Sequence, residues 1–364
     1  MSEQLPQVAA PAGASAPVRP RLRMPAWLSW RRLAIVVGAY LACVVVFAAF
    51  AAWQGADPGT LLPAMLQSTV LNPTALTQTL LRAVPIGFAA LAAVVPARAG
   101  LVNVGAEGQL IMGAVAATGV GLAVGSHVPG PIALIATVAA GGVAGAVWAG
   151  ISAAFRIWFR AAESVTSLLL NFVASDVMLF LIYEPWKDPA GSGQPQSRPL
   201  PADVRLGDLT STGLNASVIV LALAAVGVWL LLRRTGWGFA LRVIGGNPEA
   251  ARRSALPSSS LLLSAMFVGG LLAGLGGALN LIGVEGQLRP GITTTFGYVG
   301  FLAAFLGRND AIRATLAALL FAAIALSGNG LQLVAGLDGN IVNVLLGAIV
   351  LTMLLVGRKQ GERL

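Results

Sequence analysis

The sequence has few of the residues on which enzymes and metal proteins usually depend. Its 364 residues include one cysteine, Cys43, one histidine, His127, and two lysines, Lys187 and Lys359. A single cysteine excludes a disulfide within the chain, and one histidine without nearby partners argues against a metal site. The chain also lacks a GxxxxGK[ST] loop, a Ser/His/Asp set and an HExxH motif. We therefore expect neither P-loop binding of ATP nor a hydrolase of a known type, and no cofactor bound by this chain.

Charged residues are also scarce. They make up 10% of the sequence, against about 25% in soluble domains, while 57% of the residues are hydrophobic. This composition predicts a membrane protein. The 44 glycines favour closely packed helices over a β-barrel. A net charge of +9 could indicate nucleic acid binding, but the arginines are scattered between apolar runs, which is typical of membrane topology signals.

About 20 apolar residues cross a bilayer core, and this length predicts an all-α integral membrane protein with about ten transmembrane helices. The eighth apolar run is short for a full crossing. The predicted spans are residues 33–53, 77–96, 104–124, 131–154, 165–183, 215–232, 259–282, 297–307, 314–336 and 340–356.

The basic residues alternate between the segments that join these spans. Most of the 23 lysines and arginines fall on one side if the N-terminus is inside, so the positive-inside rule predicts that both termini are cytoplasmic. Residues 1–30, rich in Pro and Ala, are expected to be a disordered cytoplasmic tail, and 359–364 a second tail. A cleaved signal peptide is disfavoured because the apolar run 33–53 is too long.

Two hydrophilic segments interrupt the predicted transmembrane domain of residues 31–358. Residues 184–214, rich in Pro and Gly, are expected to form an outer loop with at most short helical turns. Residues 233–257 lie on the inner side, where Asn247 is a suitable N-cap, Pro248 suits the first helical position and Glu249 complements the helix dipole. This short helix either contacts a soluble partner or is an ordinary basic loop that fixes topology.

Polar residues inside the predicted spans are the candidates for function. One interpretation is a polar pathway suited to a neutral, hydrogen-bonding solute. The other is structural, with a carboxylate such as Glu107 satisfying backbone groups where glycines interrupt a helix. If residues 103–107 are helical, Asn103 and Glu107 share a face. The pathway candidates are Asn103, Glu107, Gln109, Asn171, Asn329 and Gln332.

Five segments, in order along residues 30–358, resemble a known family. They read ARAGLVNVGAEGQLIMGA (97–114), ESVTSLLLNFVA (163–174), YEPWKDP (183–189), LRVIGGNPEAARRSALP (241–257) and LRPGITTTFGYVGFLAAFLGRND (288–310). Together they are similar to permease subunits of bacterial ABC importers of the ribose-type and branched-chain-type superfamily, and within it to nucleoside (simple-sugar-like) permeases.

The resemblance implies a multi-pass protein of the bacterial inner membrane that does not hydrolyse ATP itself. Its expected partners are ABC ATPase subunits that use ATP and Mg²⁺, a second permease subunit in a heterodimer, an extracytoplasmic substrate-binding protein and the lipid bilayer, with no nucleic acid. It places Asn171 on a helix that lines the pathway. It also makes the inner helix the ATPase-coupling element, formed by Asn247, Pro248, Glu249, Ala250, Ala251 and Arg252.

The expected activity is translocation of a small polar solute by alternating access. A nucleoside is the expected substrate, and a pentose or another simple sugar is the alternative. A stand-alone channel or a secondary transporter could use the same polar residues. It would differ from an ABC permease in having no ATPase and no second permease beside it.

Overall fold

The computed structural model describes residues 57–190, 193–293 and 295–335, with the backbone alone from 329, and the single positions 45, 48, 49, 52, 53, 55 and 347. Within these residues the secondary structure is helical, apart from turns and two isolated bridges. The helices are α1 (Pro58–Leu66), α2 (Pro73–Ala97), α3 (Ala106–Val124), α4 (Gly130–Phe159), α5 (Glu163–Tyr183), α6 (Ser217–Arg234), α7 (Gly236–Gly246), α8 (Pro248–Arg253), α9 (Ser258–Asn280), α10 (Phe296–Leu306) and α11 (Ala311–Ala335).

Seven of the described helices are long and apolar enough to cross a membrane, namely α2, α3, α4, α5, α6, α9 and α11. Together with the shorter α10, they coincide with the eight spans predicted between residues 77 and 336. The prediction of an all-α membrane protein is confirmed for the described part of the chain. Spans 33–53 and 340–356 lie almost wholly outside it, so the count of about ten and the side of the termini stay predictions.

Helix α2 is the centre of the bundle. Its residues from Ala83 to Pro96 are all buried, and α3, α6, α9, α10 and α11 pack around it. Helices α5 and α6 also expose much of their apolar surface, as expected for helices at the lipid-facing edge. The buried helix α2 is therefore the central helix of the bundle, and its neighbours are positioned by packing against it.

Small residues allow three helices to pack backbone against backbone. A Cβ atom added at Gly113 of α3 would lie 2.6 Å from Cα of Gly274 in α9. One added at Gly145 of α4 would lie equally close to the same atom. The absence of side chains at Gly113, Gly145 and Gly274 thus lets the backbones of α3, α4 and α9 approach closely.

Helix α10 is too short to cross a bilayer. Its eleven residues extend about 16 Å at 1.5 Å per residue, roughly half of a hydrocarbon core of about 30 Å. It follows a non-regular turn after the π-helical end of α9, Leu281–Glu285, and Thr295 in this turn has a positive φ of 67°. The N-terminus of α10 consequently lies inside the bundle.

The two hydrophilic segments differ in how well the sequence predicts them. The outer one contains a 3-10 turn, Ala202–Val204, and a bridge between Lys187 and Ser197. In the inner one, the short helix is confirmed as α8, with the Asn247 side chain accepting a hydrogen bond of 3.0 Å from the N–H of Ala250. Helix α7 was not predicted, because glycines occupy both of its ends.

Candidate functional site

A buried carboxylate links α3 to the start of the half-length helix α10. Glu107 lies in the first turn of α3 and is 7% exposed. One of its oxygens accepts a 2.5 Å hydrogen bond from the Thr293 hydroxyl, and the other accepts a 2.6 Å hydrogen bond from the N–H of Gly297. The first N–H groups of a helix have no partner within it, and the dipole favours a negative charge there. Glu107 therefore acts as an N-terminal cap for α10.

The contact between α3 and α10 is also close at the backbone. A Cβ atom at Gly297 would overlap the backbone of Glu107, so only glycine fits at this position without a shift. Asn171 of α5 reaches the same place, since its Nδ2 donates a 3.2 Å hydrogen bond to the Tyr298 hydroxyl. Three helices therefore meet at the N-terminus of α10.

Residues 101–105 are not helical, and one face of α5 holds them. Glu163, Ser167 and Asn171 are four positions apart, so they share this face. Glu163 accepts a 3.1 Å hydrogen bond from the N–H of Val102. Ser167 accepts one of 3.3 Å from Val104, and Asn171 accepts one of 2.8 Å from Gly108. Residues 101–105 thus form a break between α2 and α3. The backbone groups that this break leaves without helical partners are paired inside the protein, as a membrane interior requires.

The side-chain amides of two buried residues, Asn103 and Gln109, also stabilise this break. Asn103 and Gln109 exchange hydrogen bonds of 3.1 and 2.9 Å, and Nδ2 of Asn103 also donates to the carbonyl of Ala92 in α2. The condition under which Asn103 and Glu107 would share a helix face is not met, because α3 begins only at Ala106. Asn103 precedes the helix and pairs with Gln109 instead.

A polar cavity of about 240 Å³ lies beyond the N-terminus of α10, towards the predicted outer face. The guanidinium of Arg82 lies 5.4 Å from the centre of the Phe296 ring, and its Nε is buried without a hydrogen-bond partner among the described residues. Glu285 pairs with Arg289 at 2.5 Å across the cavity wall. The polar lining residues are Gln78, Arg82, Asn280, Glu285 and Arg289.

A second cavity, of about 170 Å³, lies on the other side of α10. Phe301 and Phe305 of α10, Asn309 just after it and Asn103 line this cavity. The first residue of α10, Phe296, lines the outer cavity, whereas the later aromatic residues line the inner one. The two cavities are therefore lined by opposite ends of α10.

Helix α8 projects polar side chains from the predicted inner face. Asn247, Pro248, Glu249 and Arg252 are exposed, and Glu249 forms surface ion pairs with Arg252 and Arg253 at 3.6 and 3.3 Å. Ala250 is partly buried and Ala251 is completely buried. Ala251 therefore faces the chain itself and supports α8 from within, and the assignment of residues 247–252 as the coupling element stays a prediction.

Comparison with known proteins decides the family. Residues 75–360 match the family described as "Branched-chain amino acid transport system / permease component". The chain belongs to this permease family. The resemblance that the five sequence segments indicated is thereby confirmed.

Named relatives of the permease are ABC transporter permeases. The chain is 32% identical over 345 residues to the glucose ABC transporter permease protein of Haloferax volcanii, covering 92% of this chain and 90% of the relative. It is 28% identical to the guanosine ABC transporter permease protein NupP of Bacillus subtilis, covering 75% and 79%. It is 30% identical to NupQ of the same organism, also a guanosine ABC transporter permease, covering 67% and 78%.

The structure brings four of the six pathway candidates of this permease together. Asn103, Glu107, Gln109 and Asn171 surround the break before α3, all buried and all hydrogen-bonded within the chain. The side chains of Asn329 and Gln332 lie outside the described part.

Several residues of the site were not recognised from the sequence, among them Thr293, Tyr298, Arg82 and Phe296. Thr293 and Tyr298 carry no motif of their own, although GITTTFGY lies in a segment that resembles the family. The position of Arg82 inside an apolar run could have identified it as a candidate, because an arginine there needs a partner. In the structure this partner is the ring of Phe296.

Proposed function

We propose that this chain is the membrane-spanning subunit of an ABC importer that carries a small, uncharged, hydroxyl-bearing solute, with a nucleoside as the substrate. The observation that carries the proposal is that the half-length helix α10 lines two cavities, the outer one with its first residue and the other with its later aromatic residues. A helix that begins inside the bundle, with one carboxylate capping its N-terminus, can be displaced as a unit. Half-length helices with this placement are typical of substrate sites in transporters.

The polarity of the outer cavity supports the substrate class. Gln78, Asn280 and Arg82 offer amide and guanidinium groups, and Glu285 offers a carboxylate, so both donors and acceptors face one space. The ring of Phe296 beneath Arg82 adds an apolar surface. Relatives named for guanosine and for glucose agree with a hydroxyl-bearing solute, and a pentose or another simple sugar is the alternative to a nucleoside.

The proposed transport cycle uses partners that the family implies. A loaded extracytoplasmic binding protein releases the solute into the outer cavity, while separate ATPase subunits bind ATP and Mg²⁺ below the inner face. Their closure moves α8 through its exposed residues, and the movement reaches the bundle through α7. Displacement of α10 then joins the solute to the inner cavity. This chain supplies the pathway and the coupling surface, and the ATPases hydrolyse ATP.

The relatives also support a proposal for the subunit composition of the complex. The matches to NupP and NupQ, two permeases of one organism, support a pairing of this chain with a second, non-identical permease. The expected location is the cytoplasmic membrane of a bacterium.

Reconstitution of the complete complex in liposomes tests the function. Labelled guanosine, ribose and glucose are offered with the binding protein outside and ATP inside. We expect uptake of guanosine that requires ATP and is competed by unlabelled nucleosides. Competition by ribose or glucose alone would reassign the substrate to a sugar. Uptake by the purified chain alone, with no ATP, would show a stand-alone channel or secondary transporter instead.

A further inference from the structure

A second concave site lies apart from the pathway, at the predicted inner face. Four arginines and one leucine line a cleft of about 400 Å³, which we call the arginine cleft. Its residues come from three elements, the end of α2, the end of α6 and helix α7. The lining residues are Arg98, Leu232, Arg233, Arg234 and Arg242.

Positive charge in the arginine cleft exceeds what its neighbours balance. Asp310 pairs with Arg233 at 3.0 Å and lies 4.0 Å from Arg313, so one carboxylate is already shared by two arginines. Burial lowers the pKa of Arg98, Asp310 raises it, and the positive charges of three other arginines lower it again. Asp310 is the one carboxylate, within the part of the chain described here, that acts on Arg98.

The donor groups in the cleft are also incompletely used. Nε of Arg98 is buried and has no hydrogen-bond partner among the described residues. Arg242 donates to the carbonyl of Leu232 at the end of α6 through Nη1, and this arginine also lines the cleft. Several guanidinium groups around one concavity form a binding site suited to a phosphate group, which accepts hydrogen bonds from more than one of them.

Helix α6 carries a stripe of exposed apolar side chains that extends from the predicted hydrocarbon core of the membrane to the arginine cleft. Ile219, Leu223, Val226 and Leu230 are exposed by 55, 66, 47 and 43%. They recur at three or four positions, so they form one stripe on the outer surface of the helix. The next positions of the stripe are Arg233 and Arg234. Trp229 lies under Arg233 with 5.2 Å between the guanidinium and the ring centre, a placement typical of the membrane interface.

We propose that the arginine cleft binds the phosphate ester of an anionic phospholipid, with one acyl chain along the exposed stripe of α6. A free phosphate would use the same guanidinium groups but would leave the apolar stripe without a role. The cleft is lined partly by α7, which connects directly to α8. A bound lipid would therefore stabilise the position of α8, the predicted coupling element. The inference is independent of the transported substrate.

The test uses the full-length chain, purified with the subunits that accompany it and stripped of lipid. Phosphatidylglycerol, phosphatidylcholine or inorganic phosphate is added, and binding is measured by native mass spectrometry and by the midpoint of thermal unfolding. The variants are Arg234→Gln, at an exposed position, and Arg98→Gln. Arg198→Gln, in the outer loop, removes the same charge as a control.

We expect phosphatidylglycerol to bind and to raise the midpoint, with phosphatidylcholine much weaker. A basic side chain near a lipid surface contributes about 1 kcal/mol, so each cleft variant should weaken binding about fivefold and the control should not. If Arg98→Gln fails to insert, Arg234→Gln still decides. Unchanged binding in Arg234→Gln overturns the site. An equal midpoint shift with inorganic phosphate alone overturns the lipid as its source.

Discussion

The carboxylate of Glu107 accepts a 2.6 Å hydrogen bond from the backbone N–H of Gly297, although the two residues are 190 positions apart in the chain. This bond joins the first turn of α3 to the first turn of the half-length helix α10. Because one carboxylate oxygen binds the helix end and the other binds Thr293, the side chain fixes both the position and the entry angle of α10.

Replacing Glu107 should loosen α10. Glu107→Ala removes acceptors from a buried N–H and a hydroxyl, and hydrogen bonds to charged groups contribute about 1.5–3 kcal/mol each. We expect a lower thermal midpoint and at least a tenfold loss of ATP-driven uptake. Glu107→Gln retains one acceptor and should be intermediate, and Glu184→Gln, on the exposed outer segment, is the control. Wild-type uptake by Glu107→Ala would contradict a role for the contact in transport.

Asn171 has a role that a hydrophobic residue of similar size cannot fill. Asn171→Leu leaves the N–H of Gly108 and the carbonyl of Val104 without partners in an apolar interior. An unsatisfied buried group costs about 1–3 kcal/mol, so both the thermal midpoint and uptake should fall. Asn171→Asp keeps the acceptor for Gly108 and should retain more of both. Normal kinetics in the leucine variant at unchanged expression would exclude this role.

Arg82 tests whether the outer cavity receives the solute. Arg82→Gln removes the cation above Phe296 and the unpartnered Nε, so we expect the KM for uptake to rise about fivefold or more, as loss of a hydrogen bond worth about 1 kcal/mol implies. The maximal rate should change less than KM. Arg198→Gln removes a charge outside the cavity and serves for comparison. A pure loss of maximal rate would place the solute elsewhere.

Glu249 tests the coupling surface. Glu249→Lys puts a third positive charge beside Arg252 and Arg253 and reverses the favourable charge in the first turn of α8. Insertion should be unaffected, while ATPase binding or the coupling of hydrolysis to uptake should be lost. Asp203→Lys makes the same charge change in the outer segment. An intact complex that transports normally with Glu249→Lys would show that α8 is not the coupling element.

The glycine contacts predict a position-specific effect on stability. Gly113→Ala places a methyl group into the backbone of α9, and overpacking of this kind costs about 1–3 kcal/mol. Gly227→Ala of α6 meets no atom within 4 Å and gains helix propensity. Thermal unfolding in detergent should therefore separate the two variants, with the first less stable than the wild type and the second equal or more stable. Equal midpoints would mean that the helices separate easily at Gly113.

The features that the sequence predicts well are local ones. The cap of α8 depends on Asn247 and Pro248, which are neighbours in the chain, and the short length of α10 is visible from its apolar run. Helix α7 escaped prediction because its stability comes from burial of residues such as Leu241 and Ile244, which outweighs the glycines at its ends. The contacts of Glu107 could not be derived at all, since no local pattern relates residue 107 to residue 297.

The pairing of α5 with the break before α3 has a consequence for biosynthesis. The backbone N–H groups of Val102 and Val104 acquire their acceptors from Glu163 and Ser167, about sixty residues later in the chain. Until α5 leaves the ribosome and enters the bilayer, the segment between α2 and α3 has polar groups without partners. Helices α2 and α3 therefore reach their final depth only after α5 has been synthesised. A nascent chain truncated before residue 163 should remain accessible to water-soluble reagents at that segment.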